Sequence, residues 1–166
     1  MSSFPIAGPD PTTERLVLRP WTVGEVDAVV GGVRRPDWAA DFPAEGDQVI
    51  AGLLGEHPQW LDAYGHRLVV ERGSGLVVGS IGLFWPPSDG VVEIGYGIVA
   101  SRRGRGYAAE ATRALTDHAF TAPGVRVVRA EVELSNPASV RVLEKAGFRL
   151  LDTDTEQGTA RYGIVR

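Results

Sequence analysis

The strongest constraint in the sequence is the stretch RRGRGYAAEAT, residues 102 to 112, which follows the strand-like run VVEIGYGIVA. Gly104 and Gly106 let the backbone turn tightly and leave its amides open to an approaching group. Ala108, Ala111, Leu115 and Ala119 then recur at i, i+3, i+7 and i+11, with Glu110, Arg113 and Asp117 off that stripe, which predicts a helix. A strand, a glycine turn and a helix in this order present a helix N-terminus, and such an end binds anions. Arg102, Arg103 and Arg105 place three positive charges at that same end, where they oppose the helix macrodipole. Their presence there costs stability unless an anion sits among them.

The segments around this unit narrow the architecture. ERLVLRPW alternates Leu16 and Leu18 with Arg15, Val17 and Arg19, a strand that Pro20 ends. Thr22 and Glu25 form a capping-box pattern before a short helix stopped by Gly31 and Gly32. Residues 34–47 read as a loop, and 48–65 as a helix interrupted at Pro58. HRLVVERG, GLVVGSIGLFW and VVEIGYGIVA are three strands in succession, an antiparallel meander. After the helix come VRVVRAEVEL, with Val128, Ala130, Val132 and Leu134 on one face, and a second helix with Asn136 as cap, Pro137 first and Gly147 as stop. A closing hairpin turns near Gly158. The order β-α-α-β-β-β-α-β-α-β-β is mixed α/β, a meander followed by one β-α-β crossover.

With 166 residues the expectation is a flexible arm over 1–11 and a single domain over 12–166. The net charge of −4 gives no overall basic footprint for nucleic acid. No cysteine is present, which excludes disulfides, thiolate metal sites and a Cys nucleophile. His57, His66 and His118 show no metal spacing, so no metal is expected. No apolar run is long enough to span a bilayer, and the start of the chain lacks a secretory pattern, so a cytoplasmic location is expected.

Gly104, Gly106 and Ala109 spell G-x-G-x-x-A, and Glu131 ends the strand after the helix, as a dinucleotide site would require. A dinucleotide domain, however, starts with its loop and needs several parallel strands. Here three meander strands precede the loop and only one crossover fits after residue 100. The shared physics is a pyrophosphate on bare amides; the strand order argues for a different owner.

Shifted by one step, the loop reads Arg103-x-x-Gly106-x-Ala108. This resembles the Q/R-x-x-G-x-G/A motif of the GNAT superfamily of acyl-CoA-dependent N-acetyltransferases. TERLVLRPW with Asp27, EIGYGI, GRGYAAEA and ELSNPASVRVLEKAGF resemble, in order, four blocks of its ribosomal-protein (Rim-type) branch, across about residues 12–165. The resemblance implies a twisted, mixed, mostly antiparallel sheet with helices on both faces. It implies acetyl-CoA as co-substrate, an amine acceptor that attacks the thioester directly, and a monomer or homodimer.

It also implies roles. Arg103, Gly104, Arg105, Gly106, Tyr107 and Ala108 are the expected pyrophosphate contacts, and the backbone of Ile98, Val99 and Ala100 the expected partners of the pantetheine arm. The Ile98 amide is the expected donor to the thioester oxygen. An ordinary central strand accounts for those three positions equally well. Asn136 is expected at the pantetheine and Ser139 as proton donor to the leaving thiolate, though helix capping explains both. No tyrosine stands between Tyr107 and Tyr162, which removes a tyrosine acid from that block. Glu93, in an otherwise apolar strand, is the candidate general base, acting directly or through water; a salt-bridge partner is the other reading. Trp38 and Trp85 are candidate acceptor-pocket walls, with core packing as the alternative. Specificity is expected in residues 22–64 and 84–91. The acceptor is a protein or peptide N-terminal α-amine, or a small amine, and a non-catalytic acyl-CoA sensor would carry the same loop.

Overall fold

The chain alternates strand and helix periodicities in the order read above, and the computed structural model, which describes residues 10–166, realises that order throughout. The strands are β1 (Leu16–Pro20), β2 (His66–Glu71), β3 (Val77–Leu83), β4 (Val91–Ile98), β5 (Val127–Glu133), β6 (Arg149–Asp154) and β7 (Thr159–Val165). The helices are α1 (Val23–Gly31), α2 (Glu45–Glu56), α3 (Tyr107–Ala119) and α4 (Pro137–Lys145). One seven-stranded sheet runs β1-β2-β3-β4-β5-β7-β6. All neighbours are antiparallel except β4 and β5.

Of the arm expected over 1–11, residues 1–9 lie outside the described part. Asp10 and Pro11 are not loose. Asp10 accepts from the buried Arg67 guanidinium at 3.0 Å, and the Pro11 carbonyl accepts from the Leu18 amide at 2.9 Å. A buried guanidinium needs a partner, and the arm supplies it.

The core follows strand alternation. Leu16 and Leu18 on β1, Leu68 on β2 and all seven residues of β3 are buried. On β5, Val128, Ala130 and Val132 are buried but Leu134 is exposed, because the strand ends at Glu133 and the chain turns into α4. On α3, Ala111, Leu115 and Ala119 are buried as expected, joined by Thr112 and Thr116, whereas Ala108 stands half-buried at the stripe's edge. α3 packs on β1, β3 and β4, and α4 on β5.

Capping sets two of the helix starts. Thr22 and Glu25 exchange the reciprocal bonds of a capping box at 3.1 and 3.0 Å. α2 begins at Glu45, inside the stretch read as loop, because the Asp47 carboxylate takes the Ala44 amide at 2.9 Å. The second part of the segment read as one interrupted helix is a short 3-10 turn, Pro58–Leu61.

Candidate functional site

β4 changes partners along its length. Toward β3 the register runs from Leu83↔Ile94 to Gly79↔Ile98, whereas toward β5 it covers only Val91, Val92 and Glu93. The Phe84 amide donates to the Glu93 carbonyl and the Val99 amide to the Val78 carbonyl, both at 2.9 Å. Backbone groups alternate in direction along a strand, so the odd-numbered residues of β4 face β3. Tyr96 and Ile98 therefore turn their amides toward β5, at a level where no β5 residue pairs. The strands splay there, and the gap exposes peptide donors. Of the three backbone positions expected to hold an amide-bearing arm, Ile98 has its N–H in the gap. The Val99 N–H is already bonded, and Ala100 begins the short 3-10 turn Ala100–Arg102.

The glycine loop follows directly. Gly104 and Gly106 have φ of +79° and +84°, left-handed values that favour glycine. Gly106 is the N-cap of α3 and supplies no side-chain cap, so the first-turn amides point into the opening. The arginines are not stranded, and the idea that only an external anion can compensate them needs correcting. Glu71, at the end of β2, accepts from Arg102 Nε at 3.1 Å, lies 3.6 Å from Arg105, and takes the Tyr107 hydroxyl at 2.8 Å. The Ser74 hydroxyl first, then Tyr107 and Arg102, hold the Glu71 carboxyl below the ordinary carboxylate range. Arg103 folds back, its Nε donating to the Ile98 carbonyl at 3.0 Å. Glu110, in the first turn of α3, ties the helix to the β1 end, taking Arg15 Nε at 2.9 Å and the Thr13 hydroxyl.

A groove of about 390 Å³ gathers most of the residues singled out in the sequence. Ile98, Arg103, Gly104, Gly106, Tyr107, Ala108, Asn136 and Ser139 all line it; Val99, Ala100 and Arg105 do not. Asn136 caps α4, its Oδ1 accepting from the Ser139 amide at 3.2 Å. A tyrosine absent from the α4 block is nevertheless present in space. Tyr96 of β4 places its hydroxyl 3.0 Å from Ser139 Oγ. Burial raises the Tyr96 phenol above its ordinary pKa and keeps it protonated. The two residues are 43 apart in sequence, so no local spacing announces the pair.

A second cavity, about 340 Å³, adjoins the groove and shares Tyr96, Gly97, Ile98 and Arg103 with it. Ser80 faces Gly97 and Gly82 faces Gly95 in register, and His66 faces Gly82, so these residues share one sheet face. The alternation puts Tyr96 and its α4 partner on the other face. The floor is open only at Gly97: the His66 ring lies over Gly82, with Nδ1 2.0 Å from where a Cβ would stand, and the Phe84 ring lies over Gly95. α2 roofs the cavity with Asp47 and Ile50.

Glu93 shares the face of Gly95 and Gly97 but lines neither cavity. It is half-buried, and the Phe84 ring lies over Gly95, its neighbour on that face toward the cavity, within 3.3 Å of where a Cβ would be. Trp38 is buried edge-on against Phe42 at 5.2 Å. Trp85 stacks on Tyr64 at 4.7 Å, and its carbonyl takes the Trp60 indole N–H. Neither tryptophan lines the two cavities. Among the described residues no group of three His, Asp or Glu side chains converges as a metal site would require, and no helix is long and apolar enough to cross a membrane.

Known proteins resemble this chain in sequence and in overall fold. A model of the acetyltransferase (GNAT) domain family matches residues 15–149. An uncharacterized N-acetyltransferase of Bacillus subtilis (strain 168), YjdG, is 33% identical over 84 residues, 50% of either chain. The chain spans about half the length of the curated relatives it matches first. Among solved structures, an acetyltransferase from Agrobacterium tumefaciens is 25% identical with a TM-score of 0.70, covering 100% of this chain and 99% of its own. A putative GNAT-family acetyltransferase from Bordetella pertussis is 29% identical with a TM-score of 0.65, covering 92% and 96%. With the family model spanning β1 through the start of β6, the chain belongs to the GNAT acetyltransferase family.

Proposed function

We propose that this chain transfers an acetyl group from acetyl-CoA to a primary amine, on a single domain formed by residues 12–166. The observation that carries the reading is the opening of β4 from β5 beside an α3 N-terminus capped only by a left-handed glycine. The groove fits the co-substrate by its donor chemistry. Open amides at Gly104–Ala108 suit a pyrophosphate, and the unpaired Ile98 N–H suits an amide-bearing arm lying where β5 would otherwise pair.

Bound acetyl-CoA supplies the activated acetyl group. The chain's own residues do the rest. Arg103, Gly104, Arg105, Gly106, Tyr107 and Ala108 hold the pyrophosphate end; Ile98, Val99, Ala100 and Asn136 border the arm. The Ile98 amide donates toward the thioester oxygen as negative charge grows there. Ser139, 3.0 Å from the Tyr96 hydroxyl, delivers a proton toward the departing sulfur, and Tyr96 replenishes it. Glu93 draws the proton from the attacking nitrogen through water, since it shares the cavity's sheet face but lines neither cavity.

The sequence blocks resemble the Rim-type branch, which favours an N-terminal α-amine. Structures below 25% identity carry names with diverse acceptors: an aminoglycoside acetyltransferase in complex with coenzyme A at 23%, a spermidine N-acetyltransferase chimera from Vibrio cholerae and hSSAT at 19%, the spermidine N-acetyltransferase of Vibrio cholerae at 20%, and a putative ribosomal-protein-serine acetyltransferase of that organism at 19%. They support the fold alone. A small-amine acceptor is favoured by the 340 Å³ cavity beside the groove. Thiol release from acetyl-CoA, followed with a panel of amines, tests the reading. Saturable release with at least one amine supports transfer. Acetyl-CoA binding without release from any acceptor would mean a sensor, and stabilisation by nicotinamide dinucleotides but not by acetyl-CoA would mean another cofactor.

A further inference from the structure

Three acidic side chains are buried in the described residues: Glu25 at 3%, Asp47 at 3% and Glu71 at 8% exposure. Burying a carboxylate is costly unless a cation accompanies it. Glu25 has Arg19 at 2.8 Å and Glu71 has Arg102 at 3.1 Å. Asp47 has only neutral donors: the Ser80 hydroxyl on one oxygen and the Ala44 amide on the other. Capping α2 explains the second bond and not the first, which turns the carboxylate toward the sheet. Each oxygen keeps a free acceptor position. Of the three, Asp47 alone lines the groove or the cavity beside it.

The cavity's other walls decide what would complete that carboxylate. Ile50, Ile81 and the Gly82–Gly95–Gly97 floor are apolar. Arg103, the other charged lining residue, is engaged with the Ile98 carbonyl. His66 is buried with an unpartnered Nε2, and its burial lowers the imidazole pKa to about 4, so it brings no positive charge. Ser80 is paired directly with Gly97, one residue from the Ile98 amide in the splay. A cation on Asp47 therefore sits one strand row from the open edge of β4.

We propose that Asp47, steadied by Ser80, is the seat for the acceptor's ammonium group, and that the acceptor is a small, largely apolar primary monoamine. Asp47 is the one carboxylate in the cavity's lining and matches one positive charge. A polyamine would leave a second charge without a carboxylate in the lining, and a cavity of about 340 Å³ favours a small amine over a peptide chain. This inference rests on the acetyl-transfer reading above.

The test uses the whole chain with phenethylamine, 2-phenylethanol, 1,4-diaminobutane and a tripeptide with a free α-amine. Phenethylamine is expected to be acetylated with a lower KM than the diamine or the peptide. The alcohol, matched in shape but uncharged, is expected to compete about tenfold or more weakly, the loss of one charge-assisted contact. Asp47→Asn, which keeps the shape and an acceptor for the Ala44 amide, is expected to raise the amine KM about tenfold or more and leave the acetyl-CoA KM unchanged. An unchanged amine KM in Asp47→Asn, or equal competition by the alcohol, overturns the seat; the alcohol comparison needs only wild-type protein. A preference for the peptide or the diamine overturns the monoamine class. If acetyl-CoA neither raises the melting temperature nor releases thiol with any of these amines, the transfer reading itself falls and the seat with it.

Discussion

Replacing His66 with phenylalanine should flatten the acid side of the stability profile. His66 is 2% exposed, its ring lies over Gly82, edge-on to Phe84 at 5.0 Å, and its Nε2 has no partner. Burial holds its pKa at about 4 against 6.5 for a free imidazole. The folded value is the depressed one, so the unfolded chain takes up the proton first. The stabilisation is present above pH 6.5 and is lost as the pH falls toward 4. At about 1.4 kcal/mol per pKa unit the gap of about 2.5 units (6.5 − 4) amounts to about 3 kcal/mol. Between pH 7.5 and 5.0 the share lost is about 2 kcal/mol, from the two binding curves. His66→Phe keeps an aromatic ring and removes the unpaired nitrogen, so it should lie within about 1 kcal/mol of wild type at pH 7.5. Urea unfolding of both proteins at the two pH values isolates the effect. His118, whose pKa burial also lowers, and Asp47, whose pKa burial raises, are present in both proteins and cancel in the difference. Wild type should lose about 2 kcal/mol more than the variant across the window. Parallel losses in the two proteins would refute the account of a neutral, buried His66.

Other substitutions probe the groove. Gly106→Ala forces a side chain into φ +84° with Arg15 3.4 Å from the new Cβ; a cost of about 1–2 kcal/mol in stability and a weaker acetyl-CoA Kd by calorimetry are expected. Glu71→Gln removes the anion shared by Arg102 and Arg105 and should lower stability by about 1–2 kcal/mol in thermal unfolding. Ser139→Ala should lower kcat while acetyl-CoA binding persists, and Tyr96→Phe should lower it less, since the serine remains; unchanged turnover in both would remove them from proton delivery.

Nearly all of the fold was legible in the chain because its elements carry clear local signals. Thr22 with Glu25, Asn136 with Pro137, and the alternation on β1 and β5 are short-range patterns that the structure realises. The start of α2 was not, because Pro43 and Gly46 read as loop, while the actual cap comes from Asp47 reaching back to Ala44. The groove residues could be picked out one by one, since the glycine loop and the head of α4 each have their own spacing. What brings charges and hydroxyls together over long separations had no such signal. Glu71 meets Arg102 across 31 residues, Ser80 meets Asp47 across 33, and Tyr96 meets Ser139 across 43. These are products of sheet order, which places β2, β3 and β4 side by side, and of helix packing, which brings Asp47 of α2 to β3 and Ser139 of α4 to β4. Trp38 and Trp85 carried no signal separating wall from core, and both are held by other aromatics.

The most direct test of the groove is amide-resolved hydrogen exchange with and without acetyl-CoA. Binding along the open edge of β4 should protect the Ile98 amide and those from Gly104 to Ala108. The Val99 amide, already bonded to Val78, should change little. Protection confined to other segments, or a response at Val99 larger than at Ile98, would contradict the placement of the co-substrate between β4 and β5.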